Sequence, residues 1–384
     1  VNERAKMINS SDITFLCLPD AAAIEAASLC TNPDVRIIDA STAHRTNPAW
    51  DYGFPELSEK HRENIRNSKR VANPGCYASG FISLVYPLVK AGVLPEDYPV
   101  TCHAVSGYSG GGKKMIAAME SENKTKEMYS PRQYALTQKH KHIPEMQTVC
   151  GLKYKPMFNP IVDDYYNGMV VSVPLVTRCL TKKYTPEDIH EIMSEHYVGQ
   201  HFVKVMELGG TETLADGFIA ANTLAGTNNM QIFVCGNEDQ ILLMSRFDNL
   251  GKGASGAAIQ NMNIMLGINE LGYSYESIIS KYTDIVEKIK SMQGSAQLIL
   301  EGKLHVTAER SAGDDVYNNA NIDRLNEGIR TIAEQMSVGY IDVNELFDDG
   351  QGCLDKKFTS DNTHLLGRYY RDWAGWIEAS SGNV

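Results

Sequence analysis

Cys76 stands in Asn73-Pro74-Gly75-Cys76-Tyr77, directly before the apolar run Phe81-Ile82-Ser83-Leu84-Val85. Pro74 fixes its own φ and biases Asn73 towards an extended conformation, while Gly75 lets the chain double back. The spacing therefore predicts Cys76 at the start of the following helix. Free amides and the positive dipole end of a helix favour the thiolate, which is the nucleophilic form. Covalent nucleophilic catalysis is one chemistry open to such a residue. A buried structural thiol is the other, since free cysteine is among the most buried residue types.

Three further clusters carry chemistry. Ser106-Gly107-Tyr108-Ser109-Gly110-Gly111-Gly112-Lys113-Lys114 follows a predicted strand at 100–105. It nearly spells a phosphate loop, but Lys114 occupies the Ser/Thr position that would ligate magnesium, which argues against an NTPase. The remaining readings are a loop whose amides and Lys113 or Lys114 approach an anion, or an ordinary turn with solvated lysines. His140 and His142 lie two residues apart and share one face of an extended segment. No third ligand has recognisable metal spacing, so no metal is expected, and one of the pair could serve Cys76 as acid/base. In Asp39-Ala40-Ser41-Thr42-Ala43-His44-Arg45, Arg45 follows a predicted strand at the edge where ligands meet a parallel sheet; it could hold a phosphate or carboxylate.

The elements that must position these residues read as α/β. A strand at 12–18, an alanine-rich helix at 21–29 and a strand at 35–39 make one parallel crossover unit. With 384 residues and 43% hydrophobic content, the chain is long enough for two or three domains. Its net charge of −11 argues against nucleic acid or an anionic membrane as partner, so an anionic substrate would need local cations. Eight cysteines lie scattered without a C-x-x-C pair, as in a reduced intracellular protein. There is neither a membrane-length apolar stretch nor a signal-peptide pattern, and the cytoplasm is the expected location.

Taken together, 39–45, Tyr52-Gly53-Phe54-Pro55-Glu56-Leu57, 73–77, 106–113, His140-Lys141-His142-Ile143-Pro144-Glu145 and 247–263 resemble the shorter form of the N-acetyl-gamma-glutamyl-phosphate reductase family in order and spacing. The resemblance covers about 1–266. It implies a relative of aspartate-semialdehyde dehydrogenase: a Rossmann NADP-binding domain at 1–76 completed by a helix at about 250–268, and an α+β catalytic and dimerisation domain at 77–249. It further implies a homo-oligomer that reduces a small-molecule acyl phosphate in arginine biosynthesis. Transferred residue by residue, Cys76 becomes the nucleophile and His142, in preference to His140, the acid/base. Arg45, Ser106, Gly107 and Lys113 become the substrate and phosphate group, and Ser41, Asn249, Gly251, Lys252, Gly253 and Gln260 fall beside the cofactor. The family's glycine-rich phosphate turn is expected to be missing before 12, with its strand, which predicts weak or no NADP binding.

After 271 a second α/β alternation follows: a helix at 275–291, a strand at 296–300, a helix at 318–337 and a strand at 339–343. Asp361 and His364, in D-x-x-H spacing, and Asn269, in Gly-Ile-Asn-Glu, resemble blocks of the SGNH (GDSL-type) hydrolases at 269–384. The resemblance implies an acid, a base and an oxyanion-hole asparagine, but the family's G-D-S nucleophile block is lacking. A triad without its serine cannot form an acyl-enzyme, so these residues are expected to be relics. The chain is thus expected to be a reductase lacking its beginning joined to an esterase lacking its beginning.

Overall fold

Strand and helix alternate from the start as the apolar runs predict: α1 (Asn2–Asn9), β1 (Ile13–Leu16), α2 (Asp20–Ser28), β2 (Arg36–Asp39), β3 (Asp51–Tyr52), α3 (Glu59–Asn67) and β4 (Arg70–Ala72). The four strands are parallel, in the order β1-β2-β4-β3. This computed structural model describes all residues except 1, 211–212, 215, 267–274, 293–296, 315–316, 360–361, 364 and 382–384. They divide into two units, 1–268 and 269–384.

α4 (Cys76–Lys90) is buried from Tyr77 to Leu88, as a helix apolar on all sides must be. Pro87 in its last turn has no N–H for the Ser83 carbonyl, and the Tyr197 hydroxyl donates to that carbonyl instead at 2.8 Å. One side of α4 lies on a seven-stranded mixed sheet. Its strands are β5 (Thr101–Gly107), β6 (Arg132–Gln133), β7 (Met157–Asp163), β8 (Met169–Val176), β9 (Val203–Val205), β10 (Met230–Gly236) and β11 (Gln240–Phe247), in the order β6-β7-β5-β8-β11-β10-β9. α5 (Gly112–Met119), α6 (Ile143–Cys150) and α7 (Pro186–His196) connect them. The main core runs between this sheet and α4, with Phe81, Ile82, Phe158, Val171, Val173, Leu243 and Phe247 at its centre.

A π-turn, Gly251–Ser255, then leads into α8 (Gly256–Leu266), which returns to the first sheet. There Ala258, Ile264 and Met265 pack with Ile38, Ile65 and Val71. Crossing back in this way staples the parallel sheet to the residues around Cys76.

The second unit contains α9 (Tyr275–Met292), β12 (Ile299–Glu301), α10 (Ala308–Ala312), α11 (Asn319–Met336), β13 (Gly339–Ile341), α12 (Asn344–Phe347) and α13 (Tyr370–Ser381). β12 and β13 pair in parallel, Ile299 opposite Gly339. α11 begins where the Asn318 side chain accepts the Asn321 amide and ends at Ser337 in the left-handed region (φ 50°). Its apolar stripe, Leu325, Ile329, Ile332 and Ala333, packs on Ile278 and Val286 of α9.

Candidate active site

Cys76 is the first residue of α4, with Gly75 as its extended N-cap. Long-range contacts hold the turn in front of it. The Gly75 amide donates to Glu145 Oε1 at 2.9 Å. Asn73 donates from Nδ2 to the Ala254 carbonyl (2.9 Å), and its Oδ1 accepts from Asn261 Nδ2 (3.1 Å). Arg45 Nε donates to the Asn73 carbonyl at 2.9 Å. A Cβ on Gly75 would lie 2.5 Å from His142 Nε2, so glycine is what lets the imidazole reach the turn.

These groups open into a cavity of about 680 Å³ lined by Cys76, Arg45, His140, Lys141, His142, Ser106, Gly107 and the loop 109–112, with Asn249, Gly253, Ala254, Ser255 and Ile259 opposite. Phe15, Cys17 and Ala40, at the carboxyl ends of β1 and β2, close one side.

The protonation balance differs from the sequence expectation. Burial pushes the Cys76 thiol above its ordinary value; the Tyr77 amide and Arg45 pull it down without reversing the shift. Desolvation outweighs the helix end, and the resting group is a thiol that needs a base. His142 is buried and held well below its usual value by desolvation, then by Arg45, His140 and Lys141. His140 is lowered to about 4 by burial and then Lys141. Both imidazoles are neutral at pH 7. The rings meet edge to face at 4.8 Å, and the His142 amide donates to His140 Nδ1 at 3.1 Å. Two adjacent basic rings are thus tolerated because neither is charged.

Arg45 lines the cavity, and its guanidinium also has protein partners. Nη1 pairs with Glu145 Oε2 at 3.1 Å and Nη2 donates to the Ala40 carbonyl at 2.9 Å. Glu145 also accepts the Tyr52 hydroxyl at 2.7 Å. Glu145 is the residue that sequence reasoning missed; its signal was the acid in the first turn after Pro144, in the same motif as the histidines.

Several assigned residues are brought together elsewhere. Ser41 bonds Asp39: its hydroxyl donates to Oδ2 at 2.7 Å beside His44 Nδ1 at 2.6 Å, and it is outside the lining. Lys113 is exposed and also outside the lining. In the loop before it, the amides of Gly107, Tyr108 and Ser109 donate to the carbonyls of Gly168, Tyr165 and Tyr166. Ser106 and Gly107 do line the cavity. Lys252 and Gln260 are buried in a knot with Glu56: Nζ lies 2.7 and 2.8 Å from the two carboxylate oxygens and 2.7 Å from Gln260 Oε1. Burial raises the Glu56 carboxyl, but Lys252 and Gln260 outweigh that and leave it lowered. Gly251 packs on the Thr227 carbonyl. Of the cofactor group, Asn249 and Gly253 reach the cavity. Asn249 ties Gly168 to Ser109 (2.8 and 2.9 Å), and a Cβ on Gly253 would lie 2.8 Å from that of Cys76. Asn269, Asp361 and His364 lie outside the described residues.

A nicotinamide ring fits the uncharged face made by Cys17, Ala40, Gly253, Ala254 and Ile259 beside Cys76. The turn after β1 is a poor seat for a pyrophosphate, since α2 opens with Asp20, whose carboxylate already accepts the Thr42 amide and hydroxyl.

Residues 1–67 match the semialdehyde dehydrogenase NAD binding domain and 76–249 the semialdehyde dehydrogenase dimerisation domain. Residues 209–371 match the GDSL-like lipase/acylhydrolase family; its stretch up to 249 overlaps the dimerisation match and includes β10 and β11. The fold is that of aspartate semialdehyde dehydrogenase from Francisella tularensis (TM-score 0.53, 15% identity, 68% of this chain and 83% of that one) and of aspartate semialdehyde dehydrogenase II from Vibrio cholerae (0.51, 17%, 68% and 81%). An N-acetyl-gamma-glutamyl-phosphate reductase of Burkholderia lata is 48% identical over 267 residues, 69% of this chain and 84% of that protein. One from Nostoc, N-acetyl-gamma-glutamyl-phosphate reductase 2, is 47% identical over 276 residues, 70% and 86%. With a GDSL-like segment at its C-terminal end, the chain belongs to the N-acetyl-gamma-glutamyl-phosphate reductase family.

Proposed function

We propose that this protein reduces N-acetyl-L-glutamyl 5-phosphate to N-acetyl-L-glutamate 5-semialdehyde with NADPH, in the cytoplasm and as a step of arginine biosynthesis. The observation that carries the reading is Cys76 at the head of α4, sharing with His142 a cavity whose described lining holds cations and no carboxylate.

NADPH, when bound, supplies the hydride that reduces the acyl carbon. Everything else falls to the chain's own residues. His142 Nε2 takes the thiol proton as Cys76 Sγ bonds to the acyl carbon; the carbon–oxygen bond to phosphate breaks, leaving a thioester on Cys76. After reduction the thiohemiacetal collapses, its carbon–sulfur bond returns an electron pair to Sγ, and His142 gives the proton back. A neutral, buried His142 is in the form that can accept this proton. The first-turn amides of α4 face developing negative charge. Asn249 and Gly253 border the place where nicotinamide would lie, with Ala40 and Cys17 across from them.

The domain reading keeps 1–76 with 250–268 as the cofactor domain, 77–249 as the catalytic and dimerisation domain and 269–384 as the GDSL-like segment. NADP in preference to NAD, like the arginine pathway, rests on the family resemblance. Phosphate- or arsenate-dependent reduction of NADP with N-acetylglutamate semialdehyde tests the activity, and parallel titrations of NADPH and NADH test the cofactor. If Cys76→Ser leaves turnover intact, the mechanism is wrong.

A second reading, ester hydrolysis by the C-terminal segment, is favoured by its GDSL-like match. Cleavage of a p-nitrophenyl ester that survives Cys76→Ser would support it.

A further inference from the structure

Two turns meet at Cys76, and a buried pair of side-chain amides joins them. Asn73 belongs to the turn before Cys76, and Ala254 to the π-turn Gly251–Ser255, which lines the facing wall of the cavity. Asn73 Nδ2 donates to the Ala254 carbonyl at 2.9 Å, across 181 residues of sequence. Its Oδ1 accepts from Asn261 Nδ2 at 3.1 Å, and the same Asn261 group donates to the Gly53 carbonyl at 2.9 Å. A Cβ on Gly53 would lie 2.4 Å from Asn261 Nδ2, so glycine is what admits this amide. Both asparagines are buried. Turned round, the Asn73 amide would set nitrogen against Asn261 Nδ2 and oxygen against the Ala254 carbonyl, so Asn261 fixes which end of Asn73 meets the π-turn. Both Asn261 donors are spent on this, and among the described residues its own buried Oδ1 has no hydrogen-bond partner. A buried acceptor left open is costly, and stability alone gives no reason for it.

We propose that Asn73 and Asn261 are positioning residues that set the π-turn against the Cys76 turn, and with it the separation between the sulfur and the face where nicotinamide would lie. The inference rests on the reading of Cys76 as the nucleophile and of Gly253 and Ala254 as part of that face. The contact they hold is tight, since a Cβ on Gly253 would lie 2.8 Å from that of Cys76. Lys252, on the other side of Gly253, is anchored separately on Glu56 and Gln260. Asn73 therefore holds the Ala254 peptide group, next to the glycine that touches Cys76. Without that bond, 253–254 lifts off the start of α4 and water reaches the sulfur. Burial is the main cause of the raised Cys76 thiol, so hydration brings it back towards its ordinary range.

Alkylation of Cys76 by iodoacetamide, read peptide by peptide, is the test, since it needs neither turnover nor cofactor. Asn73→Ala and Asn261→Ala should each raise the rate at neutral pH by about tenfold in thiolate fraction and move its pH profile down towards that of an ordinary cysteine. The double variant should gain no more than the larger single one, because the two amides act as one chain. Asn263→Ala, two residues further along α8 and so on another face, should leave rate and profile as in the wild type. Buried Cys102 and Cys150 are internal controls and should stay protected throughout. Wild-type behaviour of both single variants, effects that multiply in the double variant, an equal effect of Asn263→Ala, or labelling of Cys102 and Cys150 that rises with that of Cys76 each overturns the proposal. Should one single variant fail to fold, the other decides by the same rate. In turnover, both should lower kcat more than they raise the KM for the aldehyde, because misplacement slows the step after binding; a rise in KM alone counts against the assignment. If Cys76→Ser remains active while the two variants still free the thiol, the catalytic reading fails and the coupling of the turns stands. If Cys76→Ser is inactive and alkylation is unmoved, the inference alone fails.

Discussion

Glu145 Oε1 accepts the amide of Gly75 at 2.9 Å across 70 residues of sequence, and this bond holds the turn that presents Cys76. The other carboxylate oxygen takes Arg45, and Tyr52 adds its hydroxyl. One buried acid therefore joins the loop after β2, the strand β3 and the turn before Cys76. Replacing Glu145 with Ala leaves Arg45 buried and unpaired, which should cost about 3–5 kcal/mol in urea unfolding. Glu145→Gln keeps an acceptor for Gly75 and should lose less. Equal losses for the two variants would mean that charge, not the turn bond, is what matters.

Since burial places the Cys76 thiol above its ordinary range, its alkylation by iodoacetamide in the ligand-free protein should be slow at neutral pH and still rising beyond the ordinary cysteine range. A rate plateau already reached below about pH 8 would reveal a thiolate stabilised by the helix end, contrary to the desolvation argument.

His142 should matter more than His140. Substituting Asn for His142 removes the proton acceptor next to the turn and should lower kcat by roughly 10²–10⁴-fold, the usual span for a general acid/base. His140→Asn should have a smaller effect, because it acts through the bond from the His142 amide to its ring. Steady-state kinetics of the pair decides this, and the reverse order would exchange their roles.

Both histidines also make stability depend on pH with a definite sign. Their folded values are lowered, His140 to about 4, so below its ordinary 6.5 the unfolded chain takes up protons that the native state refuses. Stability is then complete above that value and falls as pH drops towards 4. Urea midpoints between these limits should decline for the wild type and decline less for His140→Gln; parallel curves would contradict the assignment.

Gly253 faces Cys76 so closely that an added Cβ would lie 2.8 Å from that of Cys76 and 3.2 Å from the Asp248 carbonyl. Gly253→Ala should therefore push the π-turn off α4, at about 1–3 kcal/mol of overpacking, and lower kcat. Full activity with unchanged stability would show that the turn has room to spare.

Much of the fold is legible in the order of the amino acids. The alternation of apolar runs foretells the parallel strands and α11, and Pro74-Gly75 before an apolar stretch foretells Cys76 at a helix start, because local sterics decide both. What proximity in sequence leaves open is where each side chain points. Lys252 and Gln260 stand next to Gly253 and Ile259, which line the cavity, yet the π-turn and α8 direct both side chains away from it onto Glu56. Ser41 is drawn to Asp39, one strand-end away, because an Asp at a loop start captures the nearest hydroxyl and amide.

By itself the sequence determined the turn that carries Cys76, the spacing of the histidine pair and the elements that hold them, since these follow from backbone preferences within a few residues. Only the tertiary structure decided their electrical state. Whether Cys76 rests as a thiol, whether His142 is neutral, and how Arg45 is paired all depend on burial and on partners such as Glu145, which arrives from 100 residues away from Arg45. Desolvation and pairing are properties of the packed molecule, and no local spacing encodes them.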